Sequence, residues 1–314
     1  MKPDGFVPTL VAATFLMGSS FIAGKILLLQ GFQPIVLVGW RFIVAALATL
    51  LFILLPRRNV IRTLFPPGAT LRDAGWVVLI GLLQTGAVMG LLFLAMRSIP
   101  ASTAAILLFT NPIWVAMLGR LFLREALPVL RIVGLLLGVA GVALAIGIGG
   151  VSGQGALRGE IIGLASALCW AMATIVNKRV ALPFQAWALN FWQMLIGSLV
   201  LLAIAYGTGE QWPADPALRQ WAWFLWLAIP ASTGSFGLWF IALSKGGATR
   251  ASSYLFLAPL FAVVISFFVL GTTLAWPQLV GGILIGMALW LVNRTPAGGS
   301  DRQRQNEALI EGDL

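Results

Sequence analysis

Histidine is absent from this chain of 314 residues, and cysteine occurs once, at Cys169. That excludes a disulfide framework, a zinc site of the Cys/His kind, and any catalytic design that needs an imidazole base. Charge is also scarce. Asp, Glu, Lys and Arg supply 10% of the residues, where soluble domains use about a quarter. All ten acids lie outside the interiors of the apolar runs, with Glu125 and Glu160 only at their edges. Proton-driven carriers usually keep a carboxylate or histidine inside the membrane, so the sequence points away from that coupling. A P-loop is missing too: the nearest text, Gly18–Lys25, has five residues between its glycines and Ile26 after the lysine. With no base, no activated thiol and no aspartate pair, an intramembrane enzyme is not expected, nor are a cofactor or a bound metal.

What is present is apolar. The residues AVILMFWYC make up 60% of the chain and the mean hydropathy is +0.96. A helix needs about 20 apolar residues to cross roughly 30 Å of hydrocarbon. Ten segments qualify: Phe6–Leu29, Pro34–Leu55, Ala74–Met96, Ala101–Leu121 and Pro128–Gly149, then Gly159–Val180, Pro183–Tyr206, Leu218–Leu243, Thr249–Gly271 and Pro277–Val292. The run after MKPDG is too long for a signal-peptide core and lacks an A-x-A-like end, so it is read as the first span. The residues after Arg294 form a polar tail with too little apolar surface to fold alone.

The basic residues are distributed unevenly across the loops. One side receives 15 of them, among them Arg57, Arg58, Arg62, Arg120, Arg124, Lys178, Arg179, Lys245 and Arg250. The other receives four: Lys25, Arg97, Arg158 and Arg219, with Arg41 inside a span. This asymmetry predicts both termini in the cytoplasm. It also accounts for the net charge of +10 without invoking nucleic acid.

A shift of 147 positions aligns the two halves. It pairs Trp76 with Trp223, Gly90 with Gly237, Phe93 with Phe240, Phe109 with Phe256, Pro112 with Pro259 and Gly134 with Gly281. Leu and Ala coincidences are cheap in apolar text; coincident Trp, Phe, Gly and Pro at one offset are not. Five spans per half is an odd number, so the second copy must be inverted. Inverted repeats belong to alternating-access carriers, whose sites lie near the midplane at the repeat interface. The expected organisation is residues 1–150 as one five-helix repeat, 151–294 as the second, and 295–314 as the tail.

At this point the chain resembles the drug/metabolite transporter superfamily, and within it the EamA-domain exporters. The resemblance rests on ten spans in two five-helix repeats, on Leu123–Leu144 (LREALPVLRIVGLLLGVAGVAL), and on the weaker echo Gly271–Leu291. A Glu at the end of the fourth span followed by a Gly-rich fifth is typical of each family repeat. Glu125 matches it, whereas Thr272 replaces it in the second half. The resemblance implies an all-α membrane protein exporting small metabolites. Amino-acid exporters of the YddG-like type, aromatic substrates included, look the nearest relatives. A flippase for lipids or polyprenyl carriers, or a multidrug exporter of organic cations, is the alternative with the same fold. The implied partners are a small-molecule substrate and the surrounding lipid, and a monomer suffices.

Several residues are candidates for the substrate route. Arg41, beside Trp40, sits about seven residues inside the second span, roughly 10 Å deep. A planar guanidinium there suits a carboxylate; it would equally serve as a snorkelled anchor. In the sixth span Trp170, Thr174 and Asn177 share one helical face, opposite Met17 and Ser20 of the first. Gln84, Asn111, Trp114, Asn190, Gln193, Trp239 and Tyr254 add mid-span polar or aromatic groups, each of which could instead make an interhelical contact. Pro112 and Pro259 recur at matching positions and should kink the fourth and ninth spans as gating points. The GxxxG pairs Gly134–Gly138 and Gly282–Gly286 should pack the fifth span tightly against its neighbours, and the tenth likewise.

Overall fold

The computed structural model describes residues 5–54, 59–95, 98–99, 101–146, 154–180, 182–270 and 276–294. Thr272, the polar tail and the last residues of several predicted spans lie outside them. Among the described residues every regular element is a helix, as apolar runs must be where only intrahelical bonds can satisfy the backbone. Ten spanning elements follow in order. They are α1 (Phe6–Leu29), α2 (Pro34–Leu54), α3 (Leu71–Ala95), α4 (Ala101–Leu108 and Asn111–Phe122) and α5 (Val129–Ile146) in the first half. The second half holds α6 (Gln154–Val180), α7 (Ala186–Gly207), α8 (Leu218–Lys245), α9 (Ala248–Ser253 and Leu257–Leu270) and α10 (Trp276–Arg294). Seven of the ten are long and apolar enough to cross a membrane unaided; the apolar parts of α4, α5 and α10 are shorter.

Local chemistry sets the boundaries. α3 begins three residues earlier than hydropathy suggests because Thr70 and Asp73 form a reciprocal capping box at its start. α4 and α9 are interrupted, at Phe109–Thr110 and at the tight turn Tyr254–Phe256, in each case just before the proline of the matching pair. Proline removes a donor and crowds the preceding turn, so the ladder opens there. One feature was not predicted. α3 and α8 each carry a six-residue π-helical segment, Leu82–Ala87 and Ile229–Gly234, and the two lie 147 positions apart, the offset of the sequence repeat.

Packing follows the same symmetry. α5 lies against α10 and α2 against α7, while α1 packs on α8 and α9 as α6 packs on α3 and α4. At the α5–α10 contact a β-carbon on Gly141 would come within 2.8 Å of the Gly281 carbonyl, and one on Gly134 within 3.1 Å of the Ala288 carbonyl. Gly134 and Gly281 are equivalent under the repeat, and so are Gly141 and Ala288, so this seam is self-complementary. The GxxxG expectation holds in α5, whose two glycines meet different helices, and fails at Gly286 of α10. Gly138 turns to α9, where a side chain would overlap the Phe256 ring, and Gly286 faces open space. Close contact runs along every seventh position instead, which keeps one face in register along an antiparallel pair.

The distribution of polarity is that of a membrane protein. Leu47, Leu51, Phe52, Leu199, Phe268, Ile283 and Trp290 are exposed on the outside, whereas Thr49, Thr85, Asn190, Gln193, Ser232 and Thr233 are buried. An apolar exterior around polar interior groups is what lipid as solvent selects.

Candidate substrate site

The interior polar groups join the two halves through two sets of hydrogen bonds. Thr85, in the π segment of α3, donates to Gln193 Oε1 on α7. Gln193 Nε2 donates to Asn190 Oδ1 at 3.3 Å. Asn190 Nδ2 then donates to Thr49 Oγ1 on α2 at 3.2 Å and to the Thr233 carbonyl on α8 at 3.3 Å. Thr49 and Thr233 both donate to the Ala45 carbonyl, at 2.8 and 2.7 Å. Arg41 makes a separate link: its Nε donates to Ser232 Oγ at 2.6 Å, and Ser232 passes its own hydrogen to the Leu227 carbonyl at 2.8 Å.

Two of these links are equivalent under the repeat. Thr85 and Ser232 are each the fourth residue of a π segment. Their partners Gln193 and Arg41 are each the eighth residue of α7 and α2. A hydroxyl in each π segment is thus held by a long polar side chain from the opposite half. The chemistry differs on the two sides, a neutral amide on one and a guanidinium on the other. Arg41 is 8% exposed. Among the described residues its hydrogen-bond partner is the neutral Ser232, and its only other polar-type contact is the Phe42 ring, 4.9 Å away.

A buried aromatic group lies among α1, α4, α6, α8 and α9. Met17, Trp170, Trp239 and Tyr254 belong to one buried cluster, with Phe21 and Trp114 packed against it. Trp170 and Trp239 meet edge to face at 6.3 Å. Asn111 Nδ2 donates to the Ala167 carbonyl of α6 at 3.2 Å. Gln84, buried in the π segment of α3, has no partner for its Nε2 among the described residues.

Several predicted residues turn their polar atoms away from the interior network. Trp40 points outward, 37% exposed, and donates to Tyr206 Oη at 3.0 Å. It is one position from Arg41, and a helix turns about 100° per residue, so the two cannot share a face. Ser20 and Thr174 commit their hydroxyls to their own helix, at the Met17 and Trp170 carbonyls. Asn177 is half-buried and outside the network. The Tyr254 hydroxyl meets Asn293 Oδ1 at 3.3 Å, which Arg250 also engages at 2.7 Å, so its polar end faces the terminal end of the molecule. Trp114 Nε1 donates to Thr110 at the α4 interruption. Pro112 and Pro259 are buried just beyond the interruptions of α4 and α9. Conversely, Thr49, Thr233 and Ser166 were not singled out in the sequence, because a lone hydroxyl in apolar text has no periodic signal. Thr85 and Ser232 stand 147 positions apart, and that offset is the signal that could have found them as a pair.

Glu125 has a structural task. Its carboxylate accepts the Ala248 and Thr249 amides at 2.8 and 3.2 Å, capping α9. At the opposite end Glu210 accepts the Ile35 and Val36 amides at 2.8 and 2.9 Å, capping α2. Each acid neutralises a helix N-terminus of the other half.

Inverted repeats, an apolar exterior and a polar seam between the halves define a multi-pass membrane transporter. The sequence profile of the EamA-like transporter family matches residues 7–147 and again residues 157–294, and the chain belongs to that family. It is 28% identical over 265 residues to the uncharacterized transporter YvbV of Bacillus subtilis, covering 83% of this chain and 82% of that one. It is 27% identical over 267 residues to the uncharacterized inner membrane transporter YedA of Escherichia coli K12, covering 85% and 83%. With protein PecM of Dickeya dadantii the figures are 29% over 230 residues, 72% and 76%. A solved crystal structure shares the fold with a TM-score of 0.76 at 17% identity, covering 90% of this chain and 96% of that one.

Proposed function

We propose that this transporter exports amino acids, aromatic ones included, or related small carboxylates, by facilitated or exchange-type alternating access. The observation that carries this reading is Arg41, a buried guanidinium facing a neutral hydroxyl. A charged arginine near a helix centre costs about 2.5–3.5 kcal/mol on insertion scales, and such residues mark substrate pathways. A carboxylate would supply the missing counter-charge and match the planar donor fork. The site carries a positive charge and no acid among its described members, which argues against organic cations. Ser232 and Trp239 stand seven residues apart on α8, so they share a face about 10 Å apart. A molecule with a carboxylate at one end and a ring at the other would span them.

In this reading the interruptions at Pro112 and Pro259 and the two π segments are the bending points, since π segments and proline breaks are where helices change course. The 15-to-four imbalance of basic residues supports a bacterial cytoplasmic membrane with both termini inside. The test is efflux from proteoliposomes holding purified protein and labelled amino acids. Release that unlabelled amino acid accelerates from outside supports exchange. Movement of labelled lipid alone would transfer the protein to the flippases, whose phosphate groups Arg41 could also meet.

A further inference from the structure

Four buried side chains around the middle of α6 hold polar atoms that no group among the described residues satisfies. They are Asn111 Oδ1, Ser166 Oγ, and the indole nitrogens of Trp170 and Trp239. The residues are 0%, 0%, 6% and 0% exposed, so lipid headgroups and bulk water do not serve them. They are also neighbours. Ser166 and Trp170 stand one turn apart on α6, Asn111 bonds to the Ala167 carbonyl between them, and Trp239 abuts Trp170. An unmet buried donor or acceptor is destabilising. Four in one place describe a site for something that supplies the missing partners.

Their chemistry defines the complement. The indoles donate, Asn111 Oδ1 accepts, and Ser166 can do either. No ionisable side chain is among them. The fitting group is uncharged and carries both a donor and an acceptor, as a carboxamide or a hydroxyl does. We infer that this cluster is a subsite for the polar end of the substrate's side chain, so that the carrier prefers amino acids ending in a carboxamide or hydroxyl to their apolar counterparts. The inference rests on the reading of Arg41 as the carboxylate dock. It adds which tail the other end of the site selects.

The experiment uses proteoliposomes and two matched pairs, tyrosine with phenylalanine and glutamine with methionine. Sites built to hydrogen-bond a substrate reject the analogue lacking the group, because their own buried atoms are then left unpaired. Tyrosine and glutamine should exceed their partners in kcat/KM by ~10-fold or more. Asn111→Leu should bring each ratio to within about threefold. Trp239→Phe, which keeps a ring and removes the N–H, should reduce the ratios in the same direction and guards against misfolding of the first variant. Equal transport of both members of each pair, or ratios unmoved in both variants, would overturn the subsite. If all four amino acids move equally and Arg41→Met stops them all, the carboxylate dock stands and only the subsite falls. If none of the four moves, both fall together.

Discussion

Replacing Arg41 by methionine separates a substrate dock from a structural anchor, because the two roles predict opposite changes in stability. Methionine is similarly long and unbranched, so it fills the same space. Removing the charge relieves about 2.5–3.5 kcal/mol of insertion cost if Arg41 is desolvated as a central residue. Against this stands the lost hydrogen bond to Ser232, worth about 1.5–3 kcal/mol because the donor is charged. Ser232 is not left wanting, since its hydrogen is already given to the Leu227 carbonyl. The balance runs from about 0.5 kcal/mol less stable than the parent to about 2 kcal/mol more stable, a rise of up to several degrees in Tm. Carboxylate transport should be lost. Arg41→Lys keeps the charge but not the planar fork, and should retain stability with weakened transport. Thermal unfolding in detergent and efflux from liposomes measure the two quantities. A fall of several degrees in the methionine variant would make Arg41 a structural tie; a stable variant that still transports carboxylates would remove it from the site.

Three further outcomes follow from the geometry. Glu125→Ala and Glu210→Ala each remove two backbone caps and should each lower stability by about 1–2 kcal/mol, seen in Tm; no change in either would mean that solvent replaces the cap. Gly138→Ala should cost about 1–3 kcal/mol by driving a methyl group into the Phe256 ring, while Gly286→Ala, in open space, should be neutral or slightly stabilising. Pro112→Ala with Pro259→Ala should leave folding intact and slow transport, read as turnover in counterflow; unchanged turnover would show that the interruptions of α4 and α9 are not the bending points.

Hydropathy was enough to place ten spans, because insertion depends on the sum of transfer energies over about 20 residues, a quantity that needs no neighbours. The repeat at 147 positions and the resemblance to a transporter family were equally available, as was the oddity of an arginine inside a span. What hydropathy cannot tell is which way a side chain turns. Trp40 and Arg41 were adjacent candidates, and only the packing of α2 against α7 and α8 sent one outward to Tyr206 and the other inward to Ser232. Glu125 was recognisable as a family feature, but its use as a cap for α9 required the loop of one half to meet the helix start of the other. The π segments had no visible signal in α3, and the close approach of Gly197 on α7 to Thr85 there is likewise a matter of packing. Sequence alone determined the solvent, the number of crossings and the kinship of the halves, all sums along the chain. The tertiary structure decided which polar atoms found partners and which four around α6 did not, because satisfaction of a buried group depends on residues distant in sequence.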